Sequence, residues 1–196
     1  TNGDNNFAAG YQALYNNDWG NYSIAVGYQA LYAYNTNGSY GSIALGATAL
    51  RLSNGTSNIG IGYGVMQSNS AGSSNIGIGA NTLGVQLEGN QNTVVGVNSL
   101  SNVTTSYYNT VLGAGTGDDL LSGSYNTFIG YGTANDIVNG SYNTIIGAGV
   151  SGLSSSLSKN IIIADGEGNQ RIRVLDTGYI GLNTTTPGYP LTVSGD

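Results

Sequence analysis

The chain has 196 residues, a net charge of −6 and only four basic residues; with so little positive charge to neutralise phosphates, nucleic acid and anionic membrane are poor partners. Its 33 Gly, 15 Tyr and 7% charged residues, with Glu and Lys almost absent, argue against helix. Cys and His are both missing, which removes disulfides, thiolate metal sites and the commonest proton shuttle, so no cofactor is expected.

Hydrophobic residues make up 39% of the chain, too many for a disordered Gly/Ser linker. No run of about 18 apolar residues occurs, so no membrane insertion is expected, and no basic-then-apolar start suggests a signal peptide. The start at Thr1 reads as the edge of a longer chain.

The phrase "SYNTFIGYG" at 124–132 returns as "SYNTIIGAG" at 141–149, and aligning on its Asn exposes a repeat. One column holds Asn6, Ser23, Ser42, Asn58, Asn75, Asn92, Asn109, Asn126, Asn143 and Asn160. Their spacing is 17, 19, 16 and then a constant 17. Four residues on comes a Gly in nine copies, Gly10 through Gly147, with Ala164 in the tenth. The three residues between alternate, as in Ile24-Ala25-Val26 or Ile59-Gly60-Ile61, which predicts a short strand with one bulky and one small face. Four residues after the Gly, Leu14, Leu31, Leu50, Met66, Leu83 and Leu100 predict a second inward segment. Two short strands and two turns per unit make one coil of a parallel β-solenoid, an all-β fold of about ten coils over residues 1–164. One coil cannot bury its apolar side alone, whereas coils stacked about 4.8 Å apart can, giving a body about 45 Å long. The Asn column is expected to form an amide ladder, and the Gly column to supply corners.

From the sixth copy the first strand position becomes Thr (Thr93, Thr110, Thr127, Thr144) and the middle one bulky (Val94, Val111, Phe128, Ile145). Either core packing drifts along the solenoid, or this newly apolar face meets another subunit, most simply in a homotrimer. Residues 165–196 form a separate β element. Ile172 and Val174 alternate with Arg171 and Arg173, Asp176 to Gly178 turn, and Ile180 and Leu182 share a strand face before Pro187 and Pro190 break the pattern. This element is expected to cap the solenoid against edge-to-edge aggregation.

Few residues carry chemistry. "GIGYG" (60–64) and "GAGTG" (113–117) lack the Lys-Ser/Thr and the following helix of a phosphate loop and read as repeat corners. Asp119 and Asp136 lie in adjacent coils with Asp118 beside them; such carboxylates serve as solvated turn charges, a cation site or a glycosidase pair. Trp19, with Tyr15, Tyr32, Tyr34 and Tyr40, clusters around the connecting segments of the first coils, as sugar-stacking rings or as fillers of coil edges. Tyr107, Tyr108, Tyr125 and Tyr142 suggest a surface ladder. The Thr column raises ice binding as a rival, though no second Thr rank accompanies it.

"SIAVG" (23–27) and "SIALG" (42–46) resemble the S-V-A-I-G signature of YadA-like heads in trimeric autotransporter adhesins, which are trimers of parallel β-rolls. The longer N-T-x-x-G-x-x-A-L form is similar to repeats of phage tail fibres, and "RIRVLDTGYIGLNTTTPGYPLTVSGD" (171–196) resembles the segment joining a fibre shaft to its C-terminal tip or chaperone. The resemblance implies a non-enzymatic, extracellular homotrimeric fibre, on a virion tail or a bacterial surface, that attaches to a glycan or protein receptor. A tailspike-like depolymerase using Asp119 and Asp136, and an ice-binding solenoid, are the alternatives.

Overall fold

The computed structural model describes residues 3–17, 20–33, 41–85 and 88–195; among them it holds thirteen strands and no helix. Ten three- or four-residue strands begin directly after the Asn column or its Ser replacements: β1 (Phe7–Ala9), β2 (Ile24–Val26), β3 (Ile43–Leu45), β4 (Ile59–Ile61), β5 (Ile76–Ile78), β6 (Thr93–Val95), β7 (Thr110–Leu112), β8 (Thr127–Ile129), β9 (Thr144–Ile146) and β10 (Ile161–Ala164). Each pairs with the next in parallel and in register. Ten strands bound nine complete coils of a parallel β-solenoid. The stacking extends beyond the strands into the turns, where Leu50 N–H reaches Val65 C=O at 3.0 Å and Leu83 N–H reaches Ser99 C=O at 3.1 Å.

The Asn column is buried and forms the expected ladder. Asn92 Nδ2 donates to Asn75 Oδ1 at 3.0 Å, Asn109 to Asn92 at 3.0 Å, and Asn126 to Asn109 at 3.1 Å. The same Nδ2 of Asn109 also reaches Gly123 C=O at 2.9 Å in the following turn. Each amide thus satisfies groups in two coils, which a buried polar column requires. In the Gly column φ lies between 129° and 151°. A Cβ there would sit against the carbonyl oxygen of the corresponding residue one coil on, closer than van der Waals contact allows.

Two expectations are corrected. The second inward segment is a turn, not a strand. Leu14, Leu31, Leu50, Met66, Leu83 and Leu100 have φ between 45° and 52°, because a coil of this length must reverse sharply while still sending an apolar side chain inward. The bulky middle residues of the later strands face the core rather than another subunit: Val94, Phe128 and Ile145 are fully buried and Val111 nearly so. Residues 165–196 form a β element that continues the sheet. β11 (Gln170–Val174) runs antiparallel to β10, β12 (Ile180–Leu182) antiparallel to β11, and β13 (Leu191–Val193) parallel to β12, so one sheet runs from β1 to β13. Pro190 breaks the pattern only briefly, since β13 follows it.

The core explains the change of middle residue. In the early coils a small Ala25, Ala44, Gly60 or Gly77 faces the interior beside Leu31, Leu50, Met66 or Leu83; later, Val111 and Phe128 accompany Gly117 and Ala134. A Cβ on Gly77 would stand 2.8 Å from Val65 Cγ2 and 3.1 Å from Met66 Cε; one on Gly117 would stand 2.9 Å from Leu100 Cδ2 and 3.2 Å from Phe128 Cδ2. A small strand residue is thus matched by a Leu or Met in the turn, and a bulky Val111 or Phe128 by Gly117 or Ala134, while in the coil between them Val94 and Leu100 are both buried. At the C-terminal end Arg173 takes the inward place opposite Ile162 and Gly181. Its Nε meets Asn160 Oδ1 at 3.3 Å, where a further Asn would have continued the ladder.

Phe128→Ala is expected to cost about 3–5 kcal/mol of unfolding free energy through the cavity it leaves. Gly77→Val is expected to cost about 1–3 kcal/mol by overpacking. Urea unfolding followed by circular dichroism measures both.

Candidate binding surface

A three-residue strand that turns its middle side chain inward turns its first and third outward. Down the sheet this makes two exterior columns. One runs Phe7, Ile24, Ile43, Ile59, Ile76, the four Thr, then Ile161, Val174, Ile180 and Leu191. The other runs Ala9, Val26, Leu45, Ile61, Ile78, Val95, Leu112, Ile129, Ile146, Ile163, Ile172, Leu182 and Val193. Neither contains a charge, and both continue through the antiparallel strands without a break. Ile24, Ile78, Leu112, Ile146, Ile161 and Val193 are between 36% and 65% exposed. With strands about 4.8 Å apart, the stripe is about 60 Å long.

Of the ring candidates, Trp19, Tyr34 and Tyr40 lie outside the described residues. Tyr15 and Tyr32 are brought together: their rings stack at 5.6 Å and 3°, and the Arg51 guanidinium lies 5.5 Å from the Tyr32 centroid. Both faces of Tyr32 are therefore occupied, and among the described residues the outer face of Tyr15 is the one left for a ligand. A second pair, Tyr11 and Tyr28, stacks at 5.4 Å. Both pairs belong to "YQALY", spelled at 11–15 and again at 28–32. The intervening Gln29 Nε2 donates to Gln12 Oε1 at 2.7 Å, while Gln29 Oε1 accepts from Arg51 Nε at 3.0 Å. Tyr11 and Tyr28 were legible in the same 17-residue spacing; Arg51, where the third coil replaces the Tyr, was not. The far ladder joins Tyr108, Tyr125 and Tyr142 at 4.8 and 4.9 Å, without Tyr107.

The three acidic candidates do not converge. Asp118 turns toward the preceding coil, accepting from Ser101 Oγ and, at 3.5 Å, from Asn102 Nδ2. Asp136 turns toward the following one, accepting from Leu153 N–H at 3.3 Å, and Asp119 is exposed. Among the described residues no three His, Cys, Asp or Glu side chains gather where a metal could bind. The strings at 60–64 and 113–117 are strand ends and corners.

Two groups depart from their ordinary pKa. Burial lowers that of Arg173. Asp165, in the hairpin between β10 and β11, is lowered to about 2, first by the Asn169 side chain, then by the Glu167 N–H, with Arg171 adding an ion pair at 2.8 Å. Comparison with protein-family models, curated proteins and solved structures returns no match.

Because the folded-state pKa of Asp165 lies below its unfolded value, its contribution is complete above about pH 4 and disappears as the pH falls toward 2. Melting temperatures taken from pH 5 to pH 2 are expected to fall less steeply in Asp165→Asn than in the native chain.

Proposed function

We propose that the chain is a non-enzymatic head or shaft module of a homotrimeric fibre, on a virion tail or a bacterial surface, that attaches to a surface glycan or protein receptor. The observation that carries this reading is the pair of uncharged outward columns. A stripe of that length, left in water, is the kind of patch that marks an interface. It offers on the order of 1,000 Å² per chain, more than the roughly 800 Å² per partner of a standard specific interface. It is also only two side chains wide in each coil, so three stripes meeting around a long axis cover one another, and closed symmetry stops further lateral growth.

The receptor would be met on the other surfaces. The two "YQALY" coils place paired rings beside a paired amide, with the outer Tyr15 face open among the described residues, a combination suited to a sugar. A non-enzymatic role is favoured because the chain has neither His nor Cys and because the Asp118 and Asp136 carboxylates turn to opposite neighbours. Ice binding would use the Thr column, which lies in the stripe and needs it open to water.

Light scattering of the purified chain should give a mass near 60 kDa, three times 20.0 kDa. Leu112→Glu, which changes an exposed stripe residue and no core contact, should return it to a folded monomer. Tyr15→Ala should weaken binding to the glycan selected on an array by about 10-fold while leaving the trimer intact. A native chain that is a monomer and shows thermal hysteresis overturns the reading.

A further inference from the structure

The residue after each corner Gly stands past the bend, outside the two apolar columns. Tyr11 and Tyr28 hold this place in the first coils and stack on each other at 5.4 Å. Tyr131 holds it in a later coil, with Ala114 and Ala148 in the coils on either side. Its ring is 72% exposed, and among the described residues it stacks on no other ring.

The next position along the coil is bare in the same three coils, being Gly115, Gly132 and Gly149. The backbone does not demand Gly there: φ is between 57° and 66°, and in other coils the same place holds Gln12, Gln29, Thr48, Asn81 and Asn98 at φ between 52° and 56°. Space does not demand it either, since a Cβ on any of the three would meet nothing within 4 Å. Tyr63 also lies between two Ala, Ala47 and Ala80, but there the next position carries Thr48 and Asn81. Of the rings at this place, only Tyr131 rises from a floor of Ala and Gly on both sides. A lone exposed ring needs no explanation; the clearing of three successive coils around one does.

The floor is polar in one sense only. The N–H groups of Gly115, Gly132 and Gly149 are spent on the preceding coil, donating to the C=O of Val97, Ala114 and Tyr131 at 2.9, 3.0 and 2.8 Å. The C=O groups of Gly115 and Gly132 accept no hydrogen bond from a described residue, so the floor offers acceptors and suits a ligand rich in hydroxyl donors. Between residues 100 and 158 the charged side chains are Asp118, Asp119 and Asp136, with no Lys or Arg, which disfavours an acidic ligand. We propose that Tyr131 and the floor of Ala114, Gly115, Gly132, Ala148 and Gly149 form a binding site for a neutral sugar, whose C–H face stacks on the ring while its hydroxyls donate to the Gly carbonyls. A sugar ring over Ala114 or Ala148 takes the place that Tyr11 takes against Tyr28. On the far side the β10–β11 hairpin bounds the floor, where a Cβ on Gly168 would lie 2.5 Å from the Gly149 C=O oxygen. The assignment rests on the reading of the chain as a glycan-attaching module, and it adds a second site, six coils or about 30 Å from Tyr28.

Two variants address the site without touching the core. Tyr131→Ala removes the ring. Ala114→Tyr combined with Ala148→Tyr covers both of its faces with a residue that this coil position already carries elsewhere, and circular dichroism should show the native fold. In a chain labelled with fluorotyrosine, the fluorine resonance of Tyr131 is assigned as the one missing from Tyr131→Phe. It should shift on addition of neutral oligosaccharides from a panel of glucose, galactose and N-acetylglucosamine oligomers, and less with glucuronate or sialic acid oligomers. Affinity for the neutral sugar should fall about 10-fold in both variants, with the mass by light scattering unchanged. A resonance that no neutral sugar of the panel shifts, or an affinity that Tyr131→Ala leaves intact, overturns the proposal. Binding lost in Tyr15→Ala but kept in Tyr131→Ala leaves glycan attachment standing and removes this site, whereas a chain that binds no glycan on an array removes both. A changed mass in Tyr131→Ala assigns the ring to a seam between copies and likewise overturns the proposal.

Discussion

The backbone bond from one coil to the next, repeated at every turn, is the interaction on which everything else in this molecule depends. It sets a rise of about 4.8 Å, and the residues near the axis answer to that rise. The Gly column is bare because a Cβ would collide with the next carbonyl. The Asn column is amide because only a side chain with both donor and acceptor can serve the coil on each side. With local contacts alone a coil would unravel, so stability belongs to the stack.

The same bond decides what faces outward. A strand of three residues sends one side chain in and two out, and at most strands the two outward ones are apolar. The interior therefore never receives most of the Ile and Val in the strands; it is built from Ala, Gly, Leu and Met in the early coils and from Val, Phe and Ile in the later ones. An apolar exterior and a modest interior are two aspects of one geometry, and the exterior is left as the surface on which self-association acts.

The repeat, the strand positions, the amide ladder and the Tyr108–Tyr125–Tyr142 stack were legible because each recurs at the coil period, and recurrence at that period means stacking. The orientation of the strand was not. Ile24-Ala25-Val26 suggests that the bulky pair goes inside, and what reverses it is Leu31, which reaches the axis from the opposite wall and leaves room only for Ala25. Nor was the left-handed turn at Leu31 legible, because a Leu with positive φ goes against local preference and is imposed by closure of the coil. At the aromatic site the spacing located the Tyr15 and Tyr32 pair, but not that the rings would spend their faces on each other. The two aspartates illustrate the same limit: adjacency in the stack did not disclose that Asp118 turns back and Asp136 turns forward.

The exchange of volume between facing inward positions has a bearing on how such a chain can change length. In the early coils the fit already crosses between neighbours, since a Cβ on Gly77 would meet Val65 and Met66 of the coil before it. Around Gly117 and Phe128 the complementarity crosses from one coil to the next, Phe128 filling space that Gly117 leaves in the coil before it. A duplication that begins between those two residues would set bulk against bulk or leave a void. A change in the number of coils is thereby accommodated only where the residues it brings together keep that complementarity of size.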